Sequence, residues 1–265
     1  MMKTKKVAVI TGASSGIGQA CGLRLQKDYI IYNLSRSIKE DKGFVDYKVD
    51  VNDYVKIEEI AQEIFDREGR IDLLINNAGY GIAGAIENAS SGNIYSLVDT
   101  NLSAQISLCR IFIPYLKKSK GRIINISSVG GVIPLPFQAV YSATKAGIEI
   151  FSKALANELH SSGVRVTAVL PGDVKTNFTN SRIVENDDSD EKAREKIEKS
   201  IKKVEKDELK GKGPDSVAKV VAKIVRQKHP PLRKTVGFSY KLIVFLTRIL
   251  PTRLINLIVR KLYCK

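Results

Sequence analysis

A tyrosine and a lysine, Tyr141 and Lys145, stand four residues apart in a segment with helical spacing. Four residues make slightly more than one helical turn, so the two side chains lie on one face. A phenol has an ordinary pKa of about 10, which is too high for efficient acid–base catalysis at neutral pH, and an adjacent ammonium group favours the phenolate. Ser128 ends an apolar run 13 residues before Tyr141 and could donate a hydrogen bond to the same site. The three residues together predict an acid–base centre.

A glycine-rich turn follows the first apolar run of the chain, residues 7–10. Its glycines are Gly12, Gly16 and Gly18, a GxxxGxG spacing rather than GxGxxG. Small residues let a backbone approach a pyrophosphate group, and the unpaired N–H groups of a helix N-terminus favour an anion there. The turn therefore predicts a dinucleotide phosphate site, with a plain strand-to-helix turn as the alternative.

Apolar runs alternate with segments of helical spacing over about 170 residues. Strands separated by helices form parallel βαβ units, so we expect a single α/β domain, a Rossmann-type doubly wound parallel sheet with helices on both faces. Such sheets bind ligands beyond the carboxyl ends of their strands. The predicted strands are 6–11, 29–34, 44–49, 71–75, 122–127 and 164–170, and the predicted helices are 17–27, 56–68, 93–116 and 139–159.

The same residues carry a resemblance to a known family. In their order and spacing the motifs resemble those of the short-chain dehydrogenase/reductase family, closely over residues 5–176 and more loosely beyond. The resemblance implies an oxidoreductase that interconverts a ketone and a secondary alcohol, similar to the hydroxysteroid dehydrogenases and carbonyl reductases of that family. The motifs are residues 11–18, Asn76-Asn77-Ala78-Gly79, Asn101, Ser128, Tyr141 with Lys145, and Pro171-Gly172.

The resemblance also implies a role for each catalytic residue. Tyr141 would be the general acid in reduction and the general base in oxidation, and Lys145 would lower its pKa and hold the nicotinamide ribose hydroxyls. Ser128 would polarise the substrate carbonyl, and its spacing to Tyr141 favours it over the neighbouring Ser127. Asn101 would hold a water that links Lys145 to solvent. No metal is required, and no cluster of His, Cys and acidic residues suggests one.

The end of the second predicted strand decides between the two nicotinamide cofactors. An acid there would bind the adenosine ribose 2′-hydroxyl and favour NAD, but the chain has Ser35 followed by Arg36. A guanidinium group suits a 2′-phosphate, so NADP(H) is expected, with a solvated Arg36 as the alternative. By the resemblance, the cofactor contacts would be Gly12, Ser14, Ser15, Gly16, Ile17, Gly18, Ser35, Arg36, Asp50, Val51, Asn77, Ala78, Gly79, Tyr141, Lys145, Pro171, Gly172, Val174 and Thr176.

The substrate is expected between the acid–base centre and a flap at residues 176–211. The charge-dense stretch 187–210 has apolar residues three to five apart, which predicts an exposed helix with one apolar side. The candidate pocket walls suggest a hydrophobic ketone or alcohol, although each wall residue is equally a candidate for the core. They are Tyr80, Ile82, Val132, Leu135, Phe137 and Phe178, beside Ser128 and Tyr141.

The formal net charge of +15 is concentrated at the C-terminus, where residues 212–265 hold 13 Lys and Arg and one acid. Residues 238–265 predict two short basic amphipathic helices broken at Pro251, which extend an enzyme domain at 1–237. Such a pair can lie peripherally on an anionic membrane surface, pack on a second subunit or cover the pocket, and all three alternatives stay open. The extension resembles those on family members that act on steroids, retinoids or other lipids.

Composition and short motifs exclude several other classes of protein. The 265 residues are 43% hydrophobic and 27% charged, as in globular proteins. Three scattered cysteines exclude a disulfide framework, the N-terminal apolar run is too short for a signal peptide, and no nucleic-acid motif accompanies the basic charge. We expect a cytoplasmic protein, a homodimer or homotetramer by the resemblance. A 3-oxoacyl thioester reductase and an NADPH-binding sensor or scaffold are the alternative functions.

Overall fold

The computed structural model describes residues 5–38, 42–185 and 191–264, without the side chain of Ala193. In chain order the strands are β1 (Lys6–Thr11), β2 (Tyr29–Ser35), β3 (Val45–Lys48), β4 (Leu73–Asn76), β5 (Ile82–Gly84), β6 (Arg122–Ile126), β7 (Arg165–Leu170), β8 (Ile183–Glu185) and β9 (Arg233–Thr235). Seven of them form one parallel sheet in the order β3-β2-β1-β4-β6-β7-β9. The order runs outward in both directions from β1, so a switch point lies between β1 and β4, where such sheets bind ligands.

Helices cover both faces of this sheet. They are α1 (Gly16–Leu25), α2 (Tyr54–Glu68), α3 (Ser91–Val98), α4 (Ala104–Ser119), α5 (Ala139–Glu158), α6 (Glu191–Lys210), α7 (Asp215–Arg226), α8 (Phe238–Leu246) and α9 (Thr252–Tyr263). One buried apolar core joins α2, α4 and α5 to the sheet, and a second joins α1 and α7 to its other face. The predicted doubly wound α/β fold is confirmed.

Two features of the strand arrangement were not predicted. The edge strand β9 pairs with β7 through Arg233, Lys234 and Thr235, a polar sequence with no apolar run to identify it. Polar and charged residues are usual on edge strands, because they discourage pairing with another chain. The second feature is a separate two-stranded sheet of β5 and β8, each only three residues long and too short to show a period.

The helix predicted at 93–116 is longer and is interrupted. A π-helical turn, Asp99–Ser103, separates α3 from α4 and contains Asn101. Such turns insert one residue into the helical register and often lie at functional sites. The apolar spacing continues across the interruption, which is why the sequence predicts one helix.

The predicted flap helix is α6, and its apolar side is buried at Ile197, Ile201 and Val204, whereas Leu209 is exposed. Residues 187–190 and the side chain of Ala193 fall outside the described part of the chain. The predicted break at Pro251 separates α8 from α9, and α9 packs on α6. No helix within the described ranges is both long and apolar enough to cross a bilayer.

Candidate active site

The carboxyl ends of β1, β2, β4, β6 and β7 open into a cavity of about 620 Å³. Side chains of α8 and α9 form a further part of its wall. Most of the predicted site residues line it: Gly12, Ser14, Ser15, Gly16, Ile17, Ser35, Arg36, Asp50, Val51, Asn77, Ala78, Gly79, Tyr80, Ser128, Leu135, Tyr141, Lys145, Pro171, Gly172, Val174, Thr176 and Phe178.

The acid–base centre lies where α5 crosses the end of β6. Tyr141 and Lys145 are both buried on one face of α5, and Tyr141 is hydrogen-bonded to Ser128. The Lys145 Nζ atom lies 5.8 Å from the centre of the Tyr141 ring and donates to the backbone oxygen of Ile126 at 3.1 Å. Ser127 donates its hydroxyl to the backbone oxygen of Lys145 at 2.7 Å. Ser127 therefore supports α5, while Ser128 contacts the tyrosine.

Burial determines the protonation of this pair. It raises the pKa of Tyr141 to about 12, although the hydrogen bond from Ser128 acts in the opposite direction. Burial also lowers the pKa of Lys145 to about 8. Desolvation disfavours the charged form of both side chains, and the expected lowering of the Tyr141 pKa by Lys145 stays a prediction. At neutral pH Tyr141 holds its proton and can donate it.

Asn101 does not line the cavity, and its side chain is fully buried. Its Oδ1 atom accepts from the Tyr80 N–H at 3.1 Å and its Nδ2 atom donates to the Tyr80 carbonyl at 2.9 Å. A Cβ atom on Gly79 would lie 2.8 Å from Asn101 Oδ1 and 3.7 Å from Lys145 Nζ, so only glycine fits between them. Asn101 thus holds the loop after β4, and its role as the holder of a relay water stays a prediction.

The glycine-rich turn fits a phosphate group. Gly12 and Gly16 have φ values of +69° and +56°, a backbone region that favours glycine. Ser15 caps α1 without a side-chain hydrogen bond, so the first N–H groups of that helix keep their capacity for an anion. Gly18 does not line the cavity; a Cβ atom there would lie 2.5 Å from the Gly12 oxygen. Its glycine allows the helix to pack closely on the turn.

Hydrogen bonds of three side chains, Thr11, Asn33 and Asn77, hold this turn in place. The Asn77 Nδ2 atom donates to the Thr11 carbonyl at 3.0 Å, and the Thr11 hydroxyl accepts from the Asn77 and Ala78 N–H groups at 2.9 and 3.0 Å. The Asn33 Oδ1 atom accepts from the Ala13 N–H at 2.9 Å. These bonds tie the turn to β2 and β4, so its shape is set before a ligand binds.

Ser35 and Arg36 reach the cavity at the end of β2. Ser35 donates its hydroxyl to Asn33 Oδ1 at 2.6 Å, which leaves its own oxygen able to accept. The Arg36 side chain is exposed and, within the described residues, has no hydrogen bond or ion pair. Its guanidinium group is therefore available to an anion.

Three predicted pocket residues lie elsewhere. Val132 packs in a cluster with Val129 and β7, and Phe137 packs against the buried apolar side of α6. Ile82 lies in the small sheet and packs with Leu97 behind Tyr141, so it supports the cavity wall without lining the cavity. The expectation that these three residues line the substrate pocket is wrong, because each side chain packs into a small apolar cluster behind the cavity wall.

The cavity residues that sequence reasoning missed include Asp173, Glu208 and Tyr240. Asp173 accepts a hydrogen bond from the Tyr240 hydroxyl at 2.5 Å, and the Tyr240 ring packs directly on Gly172. Glu208 of α6 accepts from the Thr179 hydroxyl at 2.7 Å and pairs with the buried Arg182. Asp173 directly follows the Pro171-Gly172 motif. Its partner Tyr240 lies 67 positions away, so the sequence around Asp173 does not indicate this contact. In the described ranges, no group of three or more His, Cys, Asp or Glu residues forms a candidate metal site.

Comparisons with known proteins agree with this geometry. A family model for short chain dehydrogenases matches residues 6–187. The chain is 39% identical over 236 residues, 88% of either sequence, to a 3-ketodihydrosphingosine reductase of Bacteroides thetaiotaomicron. It is 35% identical over 187 residues to a 3-oxoacyl acyl-carrier-protein reductase of Thermotoga maritima, covering 66% of this chain and 76% of that one. The structure of a short-chain dehydrogenase from Streptomyces avermitilis matches with a TM-score of 0.82 at 26% identity, over 98% and 97% of the two chains. The protein is therefore an oxidoreductase of the short-chain dehydrogenase family.

Proposed function

We propose that the protein is an NADPH-dependent reductase of a long-chain lipid ketone that carries an amine beside the carbonyl. The observation that carries the proposal is the cavity, whose reacting end holds Ser128 and Tyr141 while apolar side chains of α8 and α9 extend its wall. An alkyl chain suits such a wall. The relative from Bacteroides thetaiotaomicron is named for 3-ketodihydrosphingosine, a long-chain 2-amino-3-ketone.

The protein's own residues supply the proton and its control. Bound NADPH would supply the hydride. Tyr141 would donate its proton to the substrate oxygen, since its raised pKa keeps the phenol protonated at neutral pH. With a pKa of about 8, Lys145 is mostly cationic at pH 7 and would stabilise the phenolate that remains. Ser128 would orient the same substrate oxygen.

The residues at the end of β2 support NADPH over NADH. The side chain at the position of the expected acid is the hydroxyl of Ser35, which brings no negative charge against a phosphate. Arg36 follows it with a guanidinium group that forms no hydrogen bond or ion pair with a described residue. Fork geometry and a permanent charge make this group a good partner for a 2′-phosphate.

Two carboxylates support an amine on the substrate. Asp173 and Glu208 line the cavity. Burial is the main cause of the raised pKa of Tyr141, and the charges of Glu208 and Asp173 raise it further. Both are therefore close enough to the reacting hydroxyl to act on its charge. Arg182 neutralises Glu208, whereas the only hydrogen-bond partner of Asp173 among the described residues is the Tyr240 hydroxyl. An ammonium group beside the reacting carbonyl would be attracted to Asp173.

Asp173→Asn tests this assignment. We expect the KM of a long-chain 2-amino-3-ketone to rise about tenfold, the equivalent of about 1.4 kcal/mol, with little change for the same ketone without the amine. The measurement is NADPH consumption with both ketones, and Asp66→Asn on the exposed face of α2 is the control. Equal losses on both ketones would show that Asp173 shapes the cavity without recognising an amine.

A 3-oxoacyl thioester reductase is the second candidate, because the Thermotoga maritima relative has that name. It differs in the expected substrate, since a thioester has no ammonium group for Asp173. A steroid-like ketone, the other lipid expectation, also lacks it. Tyr141-dependent turnover of a 3-oxoacyl thioester in preference to the amino ketone would favour the second candidate.

A further inference from the structure

Helices α8 and α9 expose an unusually apolar surface. Large apolar side chains are exposed along both helices and in the turn between them: Phe238, Leu242, Phe245, Ile249, Leu254 and Leu257. Phe238 is 84% exposed. A mostly apolar helix is normally buried, yet α8 has only its cavity side covered and its outer side open. Contiguous exposed apolar area of this kind marks an interaction surface.

This surface is also the mouth of the cavity. Ile243 and Leu246 of α8, and Ile258 and Leu262 of α9, line the cavity and are exposed to solvent at the same time. The outer surface and the cavity wall are therefore continuous. A hydrophobic molecule that lies against α8 and α9 reaches the cavity without crossing water.

The positive charge of this surface indicates what kind of partner it binds. Residues 238–264 hold five cations and no acid: Lys241, Arg248, Arg253, Arg260 and Lys261. All five are exposed, and none forms an ion pair with a residue that the structure describes. A two-fold contact between copies of this chain would bring two identical cationic surfaces together, which is unfavourable. An anionic lipid surface accepts apolar side chains and cations together.

We propose that α8 and α9 dock the protein on an anionic membrane surface, and that the lipid substrate enters the cavity directly from the bilayer between these helices. The docking rests on the surface described above. Only the entry of substrate rests on the proposed function. The apolar side chains would enter the headgroup boundary while the cations contact anionic headgroups.

Vesicle binding of the full chain tests the docking. We expect it to sediment with vesicles of phosphatidylcholine and phosphatidylglycerol, weakly with phosphatidylcholine alone, and less in high salt, since salt screens the cations. The double variant Phe245→Asn, Ile249→Asn removes apolar side chains that do not line the cavity and should lower the partition coefficient at least tenfold. The matched control, Leu23→Asn, Val55→Asn, changes exposed apolar residues on α1 and α2 and should bind like wild type.

A second pair of variants tests the charge. Arg253→Gln, Lys261→Gln should weaken binding only to the anionic vesicles, whereas Lys117→Gln, Lys228→Gln, which removes two exposed cations elsewhere, should leave it unchanged. Failure of wild type to bind anionic vesicles would overturn the proposal. A lower oligomeric mass of the Phe245→Asn, Ile249→Asn variant, with unchanged vesicle binding, would also overturn it and identify a second copy as the occupant.

Turnover separates the docking from the proposed function. The apolar double variant should reduce a soluble short-chain ketone like wild type but lose activity on a bilayer-embedded long-chain ketone. If wild type reduces soluble ketones but ignores vesicles, the docking fails and the proposed function stands. If wild type binds anionic vesicles but reduces no ketone, the docking stands and the proposed function fails.

Discussion

Tyr141 and Lys145 show what residue spacing can and cannot predict. A separation of four in a helical segment correctly predicts that both side chains share one face of α5. Their pKa values depend on depth of burial, which requires the packing of β6, α5 and the loop after β7. Burial moves the two pKa values apart, that of Tyr141 up to about 12 and that of Lys145 down to about 8. We therefore expect Tyr141 to donate a proton and Lys145 to stabilise the resulting anion.

The lowered pKa of Lys145 predicts a pH-dependent stability. Between pH 10.5, its ordinary pKa, and about 8, its folded value, the folded chain binds fewer protons than the unfolded chain. Stability from this group therefore rises with pH across that window and is lowest below it. Relative to Lys145→Met, wild type should gain about 3 kcal/mol between pH 7 and pH 10.5, at about 1.4 kcal/mol per pKa unit.

Urea unfolding at neutral pH and at about pH 10 measures this gain. Lys117→Met, at an exposed position on α4, is the control and should show no such pH-dependent difference from wild type. A constant difference between wild type and Lys145→Met at both pH values would contradict the burial account of Lys145.

At the residue scale, we expect Arg36 to decide the choice of cofactor. Arg36→Asp should weaken NADPH binding by about 10- to 100-fold, because a charge-assisted hydrogen bond contributes about 1.5–3 kcal/mol and the new carboxylate repels a 2′-phosphate. NADH binding should change little or improve. Fluorescence titration with both cofactors measures the effect, with Lys117→Asp as the control. Equal losses for both cofactors would remove the argument for NADPH.

At the scale of elements, most of the helices and strands that form the sheet and carry the acid–base centre are predictable. Buried runs such as β1 and β4 and the apolar period of α2 have strong local signals. The π-helical turn Asp99–Ser103 has none, since its Asn101 makes its hydrogen bonds to the backbone of Tyr80, 21 positions away. Strand β9 is equally hidden, since pairing with β7 rather than its own composition makes it a strand.

The position of α8 depends on a glycine in another element. A Cβ atom on Gly172 would overlap the Tyr240 ring, so Gly172→Ala should displace Tyr240, break its hydrogen bond to Asp173 and loosen α8 from the cavity. We expect faster proteolysis within 238–264 and a several-fold higher KM for a long-chain ketone. Gly213→Ala, where a Cβ atom meets nothing within 4 Å, is the control. Identical proteolysis of the two variants would show that Tyr240 does not hold α8.

At the scale of the whole molecule, charge is distributed unevenly between the α/β body and the C-terminal extension. A nearly neutral α/β body holds the glycine-rich turn and the acid–base centre, and the C-terminal 54 residues hold a net charge of +12 and line the cavity with α8 and α9. Sequence reasoning leaves membrane contact, a second subunit and a pocket cover as alternatives for this extension. The structure places it on the cavity, because Tyr240 and Val244 pack against the end of the sheet. The homodimer or homotetramer stays a prediction, which light scattering would test.

The most direct test of the account is NADPH consumption by wild type and Tyr141→Phe with a long-chain 2-amino-3-ketone, a steroid ketone and a 3-oxoacyl thioester. We predict that wild type reduces the amino ketone best and that Tyr141→Phe loses about 10²- to 10⁴-fold in kcat while it still binds NADPH, because only the proton donor is removed. Ser142→Ala, which removes the neighbouring hydroxyl of α5, should keep its activity. Near-normal turnover by Tyr141→Phe, or no turnover of any ketone by wild type that binds NADPH, would contradict the account.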